Sequence, residues 1–402
     1  MKNKVAENVL SQIAWLKKIA AIFPNKILFG VGCFDDIGAE AKTLGATRAL
    51  LIIDPIIAKL GVMERAKRSL ENQQISVEVF DKVEPEPHIE IVHKTTQIVR
   101  EGNFDLVVGV GGGSTLDVAK ATAIMAANPG TFEDYIGFGK VRRRSKLILS
   151  PTTAGTGSEV TPFIVITSKE GEKTLTFGQV VPPDVTIVDP ALTLSMPAKV
   201  TAGTGFDALS HAVESILSVD SNEYSEMFAF KAIELIGKYF RTAYHQGWNV
   251  EARCGMSMAA LLAGFAIAIT GCVIGHGAAM RLGEVLHIPH GEACALCLPY
   301  TINFNIPVAA GKLAKVARAL GIDTYGLSDE EAARKCARFL KGLVEEFGLK
   351  STLKEYGVER ADLEKHVDIF MKRSVAEIKW NPRVITKENL TKFYEDMWSG
   401  TL

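Results

Sequence analysis

DLVVGVGGGSTLDVAK, residues 105–120, is the stretch of this chain that decides its fold. A buried apolar run leads into three glycines, Gly111, Gly112 and Gly113, and then into a segment with helical spacing. The glycines allow a tight turn and a close approach of the backbone to a ligand, and Ser114 is expected to cap the helix that follows. Amides at such a helix start favour a pyrophosphate, although a glycine turn alone can be purely structural.

The same alternation of strand and helix extends through the first half of the chain. Apolar runs at 49–53, 77–80, 106–110 and 147–149 are separated by helix-length stretches, which is typical of a parallel sheet covered on both faces. Beyond Pro197 the periodicity is helical, with segments at 207–217, 223–240, 249–269, 309–319 and 330–347. We therefore predict an α/β domain over residues 1–195, an all-helical domain over residues 196–402, and a ligand cleft between them.

Four residues of the helical half form a candidate metal site. Asp207 and His211 lie four apart, so a helix presents both on one face, about one turn apart. His276 follows a long apolar segment, and His290 lies in IPHGEAC, where a turn can direct the imidazole back. Three imidazoles and one carboxylate suit a catalytic Fe(II) or Zn(II) with an exchangeable position. Any one of these residues could be an ordinary polar side chain, but four within uncharged sequence favour a shared ion.

Composition restricts the partners of the protein. The chain has 402 residues, 47% of them hydrophobic and 23% charged, with a net charge of −1, so neither nucleic acid nor an anionic membrane is an expected partner. The six cysteines are scattered and form no disulfide framework, which favours the cytoplasm. Cys294 and Cys297 are interpreted as small buried residues.

Two apolar segments need an interpretation other than a membrane span. Residues 256–275 are uncharged and long enough to cross a bilayer, but their small-residue breaks and the exit into His276 favour a buried core helix. Residues 1–23 are predicted to form an amphipathic helix that packs on the body or on a second subunit. Its apolar positions are Val9, Ile13, Leu16, Ala20 and Phe23.

Two further segments offer polar groups to a cofactor. Asp54 ends the strand ALLIID, where a carboxylate can accept hydrogen bonds from an adenosine ribose and repel a 2'-phosphate. It could equally be a strand-end Asp that opens a turn before Pro55. This order departs from the usual Rossmann pattern, in which the acidic residue follows the glycine motif. PTTAGTGSEVT, residues 151–161, can hydrogen-bond a sugar, an amide or phosphate oxygens.

Taken in order, GGGSTLDVAK, PTTAGTGSEVT, GFDALSHAVE and IPHG resemble motifs of the iron-dependent (group III) alcohol dehydrogenase family, from about residue 25 to near the C-terminus. The resemblance implies an N-terminal dinucleotide-binding parallel-sheet domain followed by a helical metal-binding domain, as in dehydroquinate synthase-like folds. It implies that the metal ligands are Asp207, His211, His276 and His290. It also implies cofactor contacts from Gly111, Gly112, Gly113, Ser114 and Asp117 at the pyrophosphate, from Thr152, Thr153 and Thr156 at the nicotinamide, and from Lys173 near the reacting centre.

The activity implied by this resemblance is reversible hydride transfer between a primary alcohol or diol, or the aldehyde in reverse, and NAD(H). Fe(II) is the favoured metal with Zn(II) as the alternative, and a homodimer or larger homo-oligomer is expected. Asp54 falls where NAD-preferring members carry Asp. One departure is Met280, which stands where the family commonly has a second histidine four residues after His276. A thioether cannot relay a proton. Either the solvent or the ribose hydroxyls of the cofactor therefore exchange the proton, or this protein has a different or lower activity than other members.

Two other functions fit parts of the pattern. A sugar-phosphate cyclase resembling dehydroquinate synthase also combines a metal with NAD, but it needs basic residues around an anionic substrate, and Arg281 and Lys173 are the few cations near the metal motifs. A catalytically impaired NAD-binding protein is suggested by Met280. The four intact metal ligands argue against that interpretation.

Overall fold

The structure is a computed structural model that describes residues 20–402. The helix predicted over residues 1–23 lies almost entirely outside the described residues. Of its apolar positions only Ala20 and Phe23 are described, and the Phe23 ring packs edge-on against Phe265 with 4.6 Å between ring centroids.

A parallel six-stranded sheet forms the centre of the N-terminal half. Its strands are β1 (Lys26–Phe29), β2 (Arg48–Ile53), β3 (Ser76–Phe80), β4 (Leu106–Gly111), β6 (Lys146–Pro151) and β9 (Val185–Val188). The spatial order is β1-β9-β6-β4-β2-β3, and every pair is parallel. The strands predicted at 49–53, 77–80, 106–110 and 147–149 are confirmed, and with them the fold class.

Both faces of this sheet are covered by helices. The helices are α1 (Ile37–Thr43), α2 (Met63–Asn72), α3 (Ile89–Glu101) and α4 (Gly113–Ala127). Side chains of a strand alternate between the faces, so Leu50 and Ile52 join one hydrophobic core while Leu51 and Ile53 join the other. A sheet buried on both faces accounts for the continuous apolar runs in the sequence.

A small second sheet was not predicted. It consists of β5 (Gly137–Phe138), β7 (Phe163–Thr167) and β8 (Lys173–Phe177) in the order β5-β8-β7, with β7 and β8 antiparallel. β5 has two residues and β8 alternates threonines with apolar residues, so their hydrophobic pattern is weak, whereas β7 (FIVIT) is an apolar run that was missed. The β7–β8 hairpin brings Lys173 to the cleft.

The rest of the described chain is helical. The helices are α5 (Ala198–Leu217), α6 (Glu223–His245), α7 (Val250–Thr270), α8 (Ile274–Leu286), α9 (His290–Ala319), α10 (Asp329–Glu346), α11 (Leu363–Arg373), α12 (Val375–Trp380) and α13 (Lys387–Ser399). They surround one large hydrophobic core. The strands precede residue 189 and these helices follow residue 197, whereas the domain boundary near residue 195 stays a prediction.

Two helices, α7 and α9, are long and apolar enough to cross a membrane. In the structure 78% and 72% of their most apolar windows are buried inside the protein, which favours core helices. The sequence suggested that residues 256–275 form one helix, but the structure divides them between two. The stretch breaks at Gly271, whose φ of 67° is a left-handed conformation that glycine adopts without strain, and α8 begins at Ile274.

Candidate metal centre and cofactor cleft

Four side chains from three helices converge on one point inside the protein. The distances from Asp207 Oδ1 to the Nε2 atoms of His211, His276 and His290 are 3.5, 3.4 and 3.6 Å. Ligands held about 2.0–2.2 Å from a common ion at tetrahedral angles lie roughly 3.3–3.6 Å apart. The donor atoms therefore fit one divalent cation, and their mixture of one oxygen and three nitrogens fits Fe(II) or Zn(II).

The helices bring these ligands together through a close crossing. Asp207 and His211 lie one turn apart on α5, as predicted, and His290 is the first residue of α9. The prediction that His290 lies in a turn is wrong, because Pro289 is the N-cap and the helix begins at His290 itself. A Cβ atom on Gly291 would lie 2.4 Å from the Gly203 carbonyl oxygen, so glycine is what lets α9 approach α5 this closely.

Burial sets the protonation of two of the imidazoles, those of His211 and His290. Removal from water lowers the pKa of His211 to about 4 and that of His290 to about 3, despite the nearby carboxylate. Both imidazoles are therefore neutral at pH 7, as a metal ligand must be. Burial opposes ionisation of Asp207, but the facing imidazoles outweigh it and lower the pKa of this carboxyl. His290 is the most accessible member, with 33% of its side chain exposed.

Glu214 orients His276 and was missed from the sequence. Its Oε1 accepts a hydrogen bond from His276 Nδ1 at 2.6 Å, and its Oε2 accepts the backbone amides of Val273 and His276 at 2.8 and 3.1 Å. A proton on Nδ1 leaves Nε2 free as the donor atom that faces Asp207. Glu214 lies two turns after Asp207 on α5, but nothing in the sequence links it to α8.

The prediction that Cys294 is a small buried residue is confirmed, but its position beside the four convergent side chains was missed. Its Sγ lies 3.6 Å from Asp207 Oδ1, 3.8 Å from His276 Nε2 and 3.6 Å from His290 Nε2. The signal was available, because Cys294 follows His290 by four residues and shares its helical face. Burial raises the pKa of this thiol to about 12. Cys297, one turn further, is also buried.

The predicted cofactor loops meet at the carboxyl ends of two neighbouring strands. Gly111 at the end of β4 pairs with Pro151 at the end of β6, which places the glycine turn beside the threonine-rich loop. A Cβ atom on Gly113 would lie 2.7 Å from the Thr156 side chain, so this narrow gap requires glycine. The structure brings Gly112, Gly113, Ser114, Asp117, Thr153 and Thr156 together along one cleft.

Ser114 does not cap the helix, contrary to prediction. Gly112 is the N-cap of α4 and the helix begins at Gly113, so Ser114 is its second residue. Its hydroxyl accepts a hydrogen bond from the Glu86 amide at 3.3 Å. Gly113 and Ser114, in the first turn of α4, still line the cleft, and a helix N-terminus of this kind suits an anion.

Asp117 stabilises the cofactor loops from behind. Its carboxylate accepts hydrogen bonds from the Ser158 hydroxyl at 2.5 Å and the Val165 amide at 2.9 Å. The fully buried Lys120 ammonium lies 3.5 Å from it. Asp117 thereby ties α4 to the loop after β6 and to β7. Gly111 and Thr152 do not line the cleft but join the two strand ends, through the hydrogen bond that the Thr152 amide donates to the Gly111 carbonyl.

Lys173 lies on the opposite wall of the cleft, at the start of β8. Its ammonium forms an ion pair with Glu86 at 2.7 Å, and only 7% of its side chain is exposed. Its backbone amide donates to Glu284 on α8. This side chain faces the same cleft as His290.

Asp54 lies away from the cleft lining, at the carboxyl end of β2. Its Oδ1 accepts the backbone amides of Ile56 and Ile57 at 2.8 and 3.0 Å and so caps the helical turn Pro55–Ile57. The structure gives Asp54 a local structural role, while its second carboxylate oxygen forms no hydrogen bond within the described part of the chain.

The cleft has a volume of about 360 Å³ and is lined by both halves of the protein. Met280 lies in it, one turn after His276 on α8, so the helix assumed for this pair is present. His287, considered as a spare imidazole, terminates α8 in a left-handed conformation and does not line the cleft. Glu377 and Trp380 of α12 do line it, and neither was predicted.

Comparison with known families finds two matches that together span most of the chain. The sequence model for iron-containing alcohol dehydrogenase matches residues 24–190. The model for the C-terminal part of the Fe-containing alcohol dehydrogenase family matches residues 201–398.

Individual proteins match over almost their whole length. The chain is 37% identical to long-chain-alcohol dehydrogenase 1 of Geobacillus thermodenitrificans, covering 95% of this chain and 97% of that protein. It is 38% identical to choline dehydrogenase of Bacillus subtilis, covering 85% and 86% respectively. A crystal structure of 1,3-propanediol oxidoreductase superimposes with a TM-score of 0.92 at 32% identity, covering 95% of this chain and all of that one.

Proposed function

The chain belongs to the iron-containing alcohol dehydrogenase family, and from this premise we propose which of its residues carry the reaction. It is a metal-dependent oxidoreductase that transfers a hydride between an alcohol and NAD(H). The observation that carries our assignment is the convergence of Asp207, His211, His276 and His290, with distances of 3.4–3.6 Å from the carboxylate oxygen to each imidazole nitrogen.

We assign the four convergent side chains as the ligands of Fe(II), with Zn(II) as the alternative. When bound, the ion supplies Lewis-acid polarisation of the substrate oxygen, and NAD supplies the hydride acceptor. Glu214 keeps the Nδ1 proton of His276 in place, so that the ring presents Nε2. His290, the most exposed of the four, lies at the side from which a substrate enters.

On the cofactor side, we assign the amides of Gly113 and Ser114 to the pyrophosphate, because they belong to the first turn of α4. The hydroxyls of Thr153 and Thr156 line the cleft between this turn and the metal ligands, where they can hydrogen-bond the nicotinamide half. Lys173, whose ammonium pairs with Glu86, lines the same cleft. These side chains align the carbinol carbon with the acceptor ring.

The product proton leaves without a histidine at position 280. Met280 has no titratable group, and His287 does not line the cleft. We infer that solvent or the ribose hydroxyls of the cofactor exchange the proton. A lower turnover than in members that carry the second imidazole is the expected consequence.

The cyclase alternative is disfavoured by the charges along the cleft. An anionic sugar phosphate needs free cations, but Lys173 is paired with Glu86 and Arg281 with Glu284. The dehydrogenase activity of the family argues against a catalytically impaired NAD-binding protein. Met280 is the one observation that supports that alternative.

His276→Ala tests the assignment. We expect this variant to lose bound metal and NAD-dependent turnover of primary alcohols while it keeps its circular dichroism spectrum, because one ligand is removed from a preformed site. His245→Ala is the matched control, since His245 is half exposed on α6 and contacts Glu346 instead. Full metal occupancy and a near-normal rate in His276→Ala would refute the ligand assignment.

We also propose a cytoplasmic homo-oligomer. The six cysteines are free, which fits a reducing compartment. Strand β1 lies at an edge of the sheet, where its outer backbone groups can pair with a second subunit. Light scattering coupled to size exclusion measures the subunit number, and a monomeric mass at micromolar concentration would exclude this assembly.

A further inference from the structure

The end of the cleft formed with α12 lies beside His276 and has a distinct chemical character. Met280 on α8 forms one wall, and Glu377 and Trp380 on α12 form another. Ile267 and Cys272, on either side of the α7–α8 break, complete it. Apart from Glu377, these side chains are uncharged. A substrate whose oxygen lies at the metal ligands extends its remaining atoms along the cleft, and this end is available to them.

Glu377 is the one carboxylate of the cleft lining that lies in direct contact with no cation or imidazole. Asp117 lies beside Lys120, Glu86 pairs with Lys173, and Asp207 faces three imidazoles. Glu377 forms no ion pair and no side-chain hydrogen bond with any residue between 20 and 402.

Two arginines of this region pair with a different carboxylate. Arg281 donates to Glu284 at 3.0 Å and Arg373 donates to the same carboxylate at 2.7 Å. Burial raises the pKa of the Glu377 carboxyl and outweighs the attraction of Arg281 and His276, neither of which pairs with it. A cationic ligand would supply a counter-charge in direct contact with this carboxylate.

Trp380 adds an aromatic surface to the same wall. It follows Glu377 by three residues on α12, so both side chains lie on one helical face. The indole packs against the backbone of Gly271, where a Cβ atom would lie 2.6 Å from the ring. An indole face beside a carboxylate attracts a cation, and tryptophan is the strongest of the aromatic side chains in this interaction.

We propose that this end of the cleft binds the quaternary ammonium group of a cationic primary alcohol, with Glu377 as counter-charge and Trp380 as aromatic wall. This inference rests on the proposed function, because the alcohol oxygen must reach the metal ligands. A quaternary ammonium is favoured over a primary one, since an NH₃⁺ group presents three donors and Glu377 is the one charged acceptor at this end. A methylated nitrogen needs no acceptor and fits the apolar surfaces of Ile267 and Met280.

Met280 gains a role in this arrangement. A histidine at position 280 would become positively charged on protonation and would repel a neighbouring ammonium. Methionine is uncharged, flexible and polarisable, so it can pack against methyl groups of a ligand. The loss of the second imidazole thus accompanies a pocket wall suited to a cation.

The test compares choline with 3,3-dimethylbutan-1-ol, which has the same shape but no charge. We expect wild-type kcat/KM for choline to exceed that for the neutral isostere at least tenfold. In Glu377→Gln, which keeps the size of the side chain, this ratio should fall at least tenfold, and Trp380→Leu should lower it as well. Glu388→Gln, at an exposed glutamate of α13, is the matched control and should leave the ratio unchanged.

Binding measured without turnover separates this inference from the proposed function. Calorimetric titration of the metal-loaded wild type with each compound, in the absence of NAD, should give tighter binding of choline, and Glu377→Gln should remove the difference. Robust oxidation of neutral alcohols with a choline-to-isostere ratio near one would overturn the inference and leave the proposed function intact. Absence of any alcohol oxidation by metal-loaded protein would contradict the proposed function, and the titration would still decide whether the pocket selects a cation.

Discussion

Replacing Glu214 with glutamine should weaken metal binding even though Glu214 is not itself a ligand. The buried carboxylate accepts three N–H groups, from the His276 ring, the His276 backbone and the Val273 backbone. Glutamine has the same shape, but one of its two terminal atoms is an NH₂ donor. Whichever way the amide is turned, at least one donor then faces another donor.

Each orientation of the amide has a cost. If the NH₂ group faces the ring, His276 must move its proton from Nδ1 to Nε2 and so block the nitrogen that faces Asp207. If the NH₂ group faces the backbone, two buried amides lose their acceptor, which costs about 1–3 kcal/mol. Loss of such an outer partner typically reduces metal affinity about 10- to 100-fold, or roughly 1.4–2.7 kcal/mol.

Competition with a chelator of known affinity measures this effect directly. The Kd for Zn(II) should rise at least tenfold in Glu214→Gln and stay unchanged in the exposed control Glu388→Gln. Circular dichroism of both variants checks the fold. A Kd for Glu214→Gln within twofold of the wild-type value would refute the reasoning, because it would mean that the ring orientation does not depend on the carboxylate.

Three further outcomes are expected. Asp54→Asn keeps the helix cap but removes the negative charge, so the ratio of kcat/KM for NAD to that for NADP should fall. If the wild type uses both cofactors equally well, Asp54 acts only as the helix cap. Met280→His should raise kcat for a neutral alcohol by about a hundredfold if the imidazole acts as a general acid–base, and the pH profile should show a new group that titrates near neutrality. An unchanged kcat and an unchanged pH profile would exclude a proton relay at this position. Burial raises the pKa of Glu159 from 4.5 to about 7, so its contribution to stability is full below pH 4.5 and is lost as the pH rises through 7. Glu159→Gln should therefore stabilise the protein by up to about 3 kcal/mol more at pH 8 than at pH 5, and an equal effect on urea unfolding at both pH values would contradict this.

Much of the α/β half could be predicted because its strands are buried on both faces. Runs such as 49–53 and 106–110 are continuous in apolar residues, and no other short element produces that pattern as clearly. In the β7–β8 hairpin, β8 escaped prediction because threonines interrupt its apolar residues, whereas the apolar run of β7 was an available signal that was missed. The position of the hairpin over the cleft follows from tertiary packing and not from local preference.

The four-residue metal set could be proposed because two of its members are close in sequence and all four are unusual in apolar surroundings. Its supporting residues could not be proposed in the same way. Glu214 reaches His276 across 62 positions of sequence, and Glu377 and Trp380 join the cleft from a short helix about 100 residues after α8 begins. Cys294 is the exception, since its spacing from His290 was sufficient to place it on the same helical face.

The most direct test of the account follows the hydride itself. Metal-loaded protein is incubated with NAD and a primary alcohol that carries two deuterium atoms on the carbinol carbon, and the reduced cofactor is analysed by mass spectrometry. We predict one deuterium in each NADH formed, no formation after the metal is removed by a chelator, and recovery when Fe(II) or Zn(II) is added back. NADH formed at an undiminished rate by metal-free protein, or formed without deuterium, would contradict the claim that Asp207, His211, His276 and His290 hold the ion at which an alcohol is oxidised.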